Sequence, residues 1–70
     1  MFTRALTIQA REVIDLCRSS GVRLATAESC TGGLIAGALT AVAGASDVVE
    51  RGFITYSNEA KSEMVGVDPH

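Results

Sequence analysis

The chain predicts an α/β fold in the order α-β-α-β-α, and three features carry that expectation. A helical repeat opens the sequence: Leu6, Ala10, Val13, Ile14, Cys17 and Gly21. Two stretches rich in β-formers follow, Val22 to Ala27 and Val48 to Tyr56. Between them runs an alanine- and leucine-rich helical segment, long enough for a right-handed crossover between parallel strands. The expected architecture is an α-β-α-β-α segment of a three-layer α/β/α domain with a parallel or mixed sheet. Residues 1–70 would form the N-terminal part of a single such domain.

Each element has its own local reason. In the first helix, apolar residues recur at i, i+3, i+4 and i+7, while Arg11, Glu12, Asp15 and Arg18 fall elsewhere; this is an amphipathic helix of about four turns. Ser19-Ser20-Gly21 ends it, with Gly21 as the expected left-handed residue past the C-terminus. Val22 to Ala27 reads as a largely buried strand. The second helix is expected to open near Thr31 and to run to about Ala43. Its glycines at 32, 33 and 37 weaken it but let backbone or ligand approach closely. A turn at Ala43-Gly44-Ala45-Ser46 leads to the second strand, where Gly52 marks a bulge or a point of close approach. Ser57 or Asn58 is a suitable N-cap for a third helix, Glu59 to about Val65, with Gly66 at its end and Pro69 beyond.

Seventy residues make at most one small domain. The apolar share, 47%, leans on alanine and valine, and the aromatics are Phe2, Phe53 and Tyr56, so the core is expected to be marginal. A two-stranded parallel sheet needs more strands and two covered faces. The expectation is therefore a truncated portion of a larger domain, or else strands supplied by another chain. Exposed sheet edges make a homo-oligomer the default partnership. A net charge of −2, with the arginines spread from Arg4 to Arg51, argues against nucleic-acid binding. Leu34 to Ala45 is too short to span a bilayer, and no apolar signal region follows Arg4. No membrane partner is expected, and the expected compartment is the cytoplasm. Cys17 and Cys30 are too few for a disulfide framework, and Cys17 reads as a buried small hydrophobe. One histidine, His70, leaves a zinc site almost without ligands.

The chemistry concentrates in Thr26-Ala27-Glu28-Ser29-Cys30-Thr31-Gly32-Gly33, a strand-to-helix turn. There the first N–H groups of a helix are unpaired and the dipole is positive, which suits a phosphate or the oxyanion of acyl transfer. Ligands of parallel α/β sheets bind beyond the carboxyl ends of the strands. Ser29 follows the first strand and Tyr56-Ser57-Asn58 follow the second, so adjacent strands would place them on one rim. Lys61, the one lysine, projects from the first turn of the third helix and, in the matching register, would face the same crevice. A neutral lysine can take the proton of a serine hydroxyl, the Ser–Lys form of nucleophilic catalysis. Plainer roles stand beside these: Ser29 as a helix cap, Lys61 as a surface partner of Glu59 or Glu63, Glu28 as an ion-pair partner. Cys30 is either a nucleophile or a packed thiol, and Gly32-Gly33 either a cradle or a site of close helix–sheet packing. Tyr56 as a mere strand end completes that set.

Taken together, Thr26-Ala-Glu-Ser-Cys-Thr-Gly-Gly33 and Glu50-Arg-Gly-Phe-Ile-Thr-Tyr-Ser-Asn-Glu-Ala-Lys61 resemble the CinA C-terminal domain family. Val42-Ala-Gly-Ala-Ser46 is similar to its linking segment and Met64-Val-Gly-Val67 to its following turn, so the likeness covers residues 20–68. The resemblance implies a nicotinamide-nucleotide amidase that hydrolyses the carboxamide of nicotinamide mononucleotide, giving nicotinic acid mononucleotide and ammonia. It implies Ser29 as nucleophile, Lys61 as general base, Tyr56 and Ser46 as assisting polar residues, and no cofactor. Cys30, Thr31, Gly32, Gly33 and Asn58 would contact the nucleotide. Family domains run to about twice this length, and their phosphate and ribose contacts are expected partly from the remainder. The alternatives are a non-catalytic nucleotide-binding module and an inactive fragment that needs other chains.

Overall fold

A computed structural model describes residues 2–68; Met1, Pro69 and His70, and with them the expected proline stop, lie outside the described residues. The order is α1 (Arg4–Ser20), β1 (Leu24–Glu28), α2 (Leu34–Thr40), a 3₁₀ turn (Ala45–Asp47), β2 (Val49–Ile54) and α3 (Asn58–Val65). The α/β class and the element order are those expected.

The ends of α1 follow from local chemistry. The Thr3 hydroxyl accepts the Leu6 N–H at 3.1 Å. At the other end Gly21 adopts φ 68°, and the N–H groups of Gly21 and Val22 donate to the Arg18 and Cys17 carbonyls. That paired closure requires a left-handed residue, which glycine adopts without steric cost. Helix α3 begins on Ser57, whose hydroxyl accepts the Ala60 N–H at 3.0 Å, and ends at Gly66.

β1 and β2 pair in parallel, Ala25 opposite Arg51 and Glu28 opposite Ile54. The ladder slips between Leu24 and Ala25, where Glu50 is the extra residue, so the bulge falls there and not at Gly52. Gly52 is instead a close approach: a Cβ at that position would lie 2.7 Å from Thr26 Oγ1.

Two expectations change. β1 is not largely buried: Ala25 and Ala27 are exposed while Glu28 is buried, because the described elements leave one side of the two-stranded ladder open. α2 is shorter than the expected Thr31–Ala43. Gly32 and Gly33 hold φ 61° and 96°, outside helical space, and the helix ends at Thr40, with residues 41–44 forming turns that lead through left-handed Gly44 into the 3₁₀ turn.

The core joins Ala10 and Ile14 of α1 to Leu39, Val42, Ala45 and Val48, with Cys17, Leu24 and Val49 half-buried around it. Ile14 and Val48 are the largest fully buried side chains. Cys17 is thus a flanking residue rather than a buried one. The core is small, as the composition implies, and α3 contributes no buried residue to it.

Gly33 and Gly21 make a controlled pair. Nothing lies within 4 Å of a Cβ at Gly21, whereas one at Gly33 would sit 2.7 Å from Ile54 Cδ1. Gly21→Ala should lower unfolding free energy by about 1–2 kcal/mol, the cost of a left-handed residue. Gly33→Ala should cost more in the same denaturant titration, and Ile54→Val should recover part of the difference.

Candidate active site

β1 ends on a carboxylate that is withdrawn from solvent. Glu28 is only 4% exposed. Its Oε1 accepts the Thr31 hydroxyl at 2.7 Å and the Ile35 N–H at 2.8 Å, and its Oε2 accepts the Ala36 N–H at 2.9 Å. Burial pushes this carboxyl up, but bonds from the Ala36 N–H, the Thr31 hydroxyl and the Ile35 and Gly33 N–H groups outweigh it and hold the group below its ordinary value. Among the described residues Glu28 forms no ion pair; it caps α2 from within the sheet.

The same residue ties the two strand ends together. Its carbonyl accepts the Thr55 N–H at 2.8 Å and the Thr55 hydroxyl at 3.3 Å. Thr55, also 4% exposed, is the residue before Tyr56, as Glu28 is the residue before Ser29. The chain thus leaves the sheet at Ser29 and at Tyr56 from a common, hydrogen-bonded edge, the carboxyl end of both parallel strands.

Around that edge Ser29 is half-buried, and its carbonyl accepts a long bond, 3.4 Å, from the Gly32 N–H. Cys30 is an exposed free thiol, and Thr31 and Gly32 are exposed. Gly33, half-buried, packs on Ile54, so close helix–sheet packing is one of its roles. Tyr56 is 81% exposed. Lys61 is half-buried in the first turn of α3, and no ion pair among the described residues involves it, Glu59 and Glu63 included. Asn58 is exposed and lines a shallow groove with Glu59, Ser62 and Glu63.

The α2 N-terminus is not open as the sequence pattern implies. The Ile35 and Ala36 N–H groups are held by Glu28 and the Leu34 N–H by the Thr31 carbonyl at 3.2 Å. Among the described residues, the N–H groups of Cys30 and Thr31 have no protein acceptor, which leaves them as the turn's available donors.

Ser46 stands apart. It is exposed in the 3₁₀ turn before β2, whereas Tyr56 follows β2. The strand's six residues put about 20 Å between those ends at the usual rise. The structure therefore does not bring Ser46 to the Ser29 edge. Its turn is gripped from α1 by Arg18, whose Nε and Nη2 donate to Asp47 at 3.1 and 2.9 Å and whose Nη2 also reaches the Gly44 carbonyl at 2.8 Å. The hydrogen bond from Arg18 holds the Asp47 carboxyl below its ordinary value.

An apolar groove of about 400 Å³ lies between α1 and α2, lined by Leu6, Val13, Leu34 and Ile35 with Thr31 at its margin. Ser29, Tyr56 and Lys61 do not line it. No helix among the described residues is long and apolar enough to cross a membrane.

Glu28 and Thr55 are what sequence reasoning missed as site-forming residues. An acid at a strand end, three residues before a threonine and a glycine pair, was the available signal for Glu28. Thr55 carries none.

The structure is an α/β arrangement, a parallel strand pair whose carboxyl edge leads into Ser29 and the glycine-rich turn on one strand and into Tyr56 on the other. The chain belongs to the CinA C-terminal domain family, whose profile matches residues 6–70. It is 50% identical over 58 residues to the nicotinamide-nucleotide amidohydrolase PncC of Escherichia coli K12, covering 83% of this chain and 35% of that protein. A CinA-like protein of Geobacter sp. strain M21 is 59% identical over 69 residues, 91% of this chain and 17% of that one. The crystal structure of the competence/damage inducible protein CihA from Agrobacterium tumefaciens superposes with a TM-score of 0.93 at 53% identity, over 97% of this chain and 41% of that one. The chain thus spans well under half the length of these relatives.

The low-lying Glu28 carboxyl gives a signed pH dependence. Its folded value lies below its unfolded one, so its contribution is fully present above the ordinary glutamate range and is lost as pH falls through the folded value. Asp47 acts with the same sign. Acid titration of thermal unfolding should show stability falling below about pH 4.3, the unperturbed glutamate value. Glu28→Gln should flatten that limb, and Asp47→Asn should flatten the remainder.

Proposed function

We propose that this chain carries the nucleophile and base of a nicotinamide-nucleotide amidohydrolase of the Ser/Lys type, acting in pyridine nucleotide salvage. One observation favours this over a phosphate-binding module using the same turn. The α2 N-terminus, where an external phosphate would sit, already holds an internal carboxylate. A second anion there would meet Glu28 at close range, which is unfavourable in a poorly solvated site. The likeness to PncC points in the same direction.

In this reading Lys61 takes the Ser29 hydroxyl proton as Ser29 Oγ attacks the carboxamide carbon. The resulting oxyanion is held by the free N–H groups of Cys30 and Thr31. The tetrahedral centre collapses, the C–N bond breaks, and Lys61 returns the proton to the departing nitrogen, which leaves as ammonia. Water then attacks the acyl-serine ester and gives its proton to Lys61. The acid departs as Ser29 recovers its hydroxyl. Tyr56 shares this edge and orients the polar groups during proton transfer.

Ammonia release from nicotinamide mononucleotide measures this directly. Ser29→Ala and Lys61→Ala should each lower the rate by about 100-fold or more, in the range of lost acid–base or nucleophilic catalysis, with circular dichroism unchanged. Folded variants as active as the parent would overturn the assignment.

A further inference from the structure

We propose that Glu28 is a positioning residue for Ser29, fixing the 29–33 turn so that its Cys30 and Thr31 N–H groups stay free for the oxyanion. The inference rests on the reading of Ser29 as the nucleophile, and the observations behind it are geometric. Both carboxylate oxygens are engaged, Oε1 by the Thr31 hydroxyl and the Ile35 N–H, Oε2 by the Ala36 N–H. The carbonyl of the same residue holds Thr55. Ser29 is thus attached to a residue anchored to α2 through its side chain and to the end of β2 through its backbone.

A neutral cap would not do the same. A glutamine could offer its oxygen to Thr31 and Ile35, but its NH₂ would then face the Ala36 N–H, donor against donor. A serine or asparagine at the start of α2 would satisfy one N–H, leaving the others to compete for whatever enters the turn. The carboxylate takes the Ile35 and Ala36 N–H groups together.

The test is labelling of the chain by a fluorophosphonate. Ser29 Oγ forms the O–P bond, fluoride leaves with the P–F electrons, and the serine proton passes to the base. The maximal labelling rate (kinact) and the half-saturating probe concentration (KI) are read separately, with the site located by peptide mass spectrometry. The expected result is labelling at Ser29 in the parent and none in Ser29→Ala. Glu28→Gln should lower kinact by about 10-fold, a partial loss of the effect of an oxyanion donor, with KI little changed. Gly21→Ala, destabilised far from the edge, should retain the parent kinact. Should Glu28→Gln fail to fold, Thr31→Val, which removes one of the carboxylate's donors, should lower kinact by several-fold and carries the same test. No labelling of Ser29 in the parent overturns the nucleophile assignment, and this inference with it. Labelling of the parent with kinact unchanged in Glu28→Gln or Thr31→Val overturns the positioning role alone. A fall in Gly21→Ala matching that of Glu28→Gln would also overturn it, because the effect would then be general instability.

Discussion

The edge of this small sheet depends on one buried negative charge. Withdrawing a carboxylate from water is unfavourable unless hydrogen bonds replace the lost hydration, and the Glu28 carboxylate obtains them from the turn and from α2. The Thr31 hydroxyl comes from the turn, the Ile35 and Ala36 N–H groups from α2, and the residue's own carbonyl binds Thr55 at the end of β2. Each partner would be a loose end without it. The helix would begin with unsatisfied donors, the glycine-rich turn would lack a fixed path, and the two strand ends would lose their shared closure.

This arrangement reverses the usual reading of a glycine-rich turn before a helix. Such turns commonly offer helix N–H groups to an external anion. Here the protein's own carboxylate occupies them, and the free donors lie earlier in the turn, beside the serine. In the proposed reading, those earlier donors hold the charge that develops on the carboxamide oxygen. The arginine clamp at the opposite end of the sheet is a different device: Arg18 ties the 3₁₀ turn to α1 through Asp47 and Gly44.

What the sequence made legible was local. Gly21, Gly66 and the Ser57 cap end or begin helices through contacts a few residues apart, so the pattern of residue types was enough. The parallel pairing and the sharing of an edge by Ser29 and Tyr56 followed from topology. The length of α2 was not legible. Its start is set by a carboxylate seven and eight residues earlier in the chain, acting with two glycines at positive φ, and helix propensity does not encode that. Thr55 was invisible because its partner lies 27 residues away. Ser46, assigned to the site by resemblance, lies at the far end of β2 in this structure, as its place before the strand that Tyr56 follows already implied.

The most direct test is a pH titration of the backbone amides by ¹⁵N–¹H correlation spectroscopy. If Glu28 holds the start of α2, the Ile35 and Ala36 amide resonances should shift together in one step, at a pH below the ordinary glutamate range. That step should vanish in Glu28→Gln. Amides that stay indifferent to acid until global unfolding, or that shift identically in the variant, would contradict it.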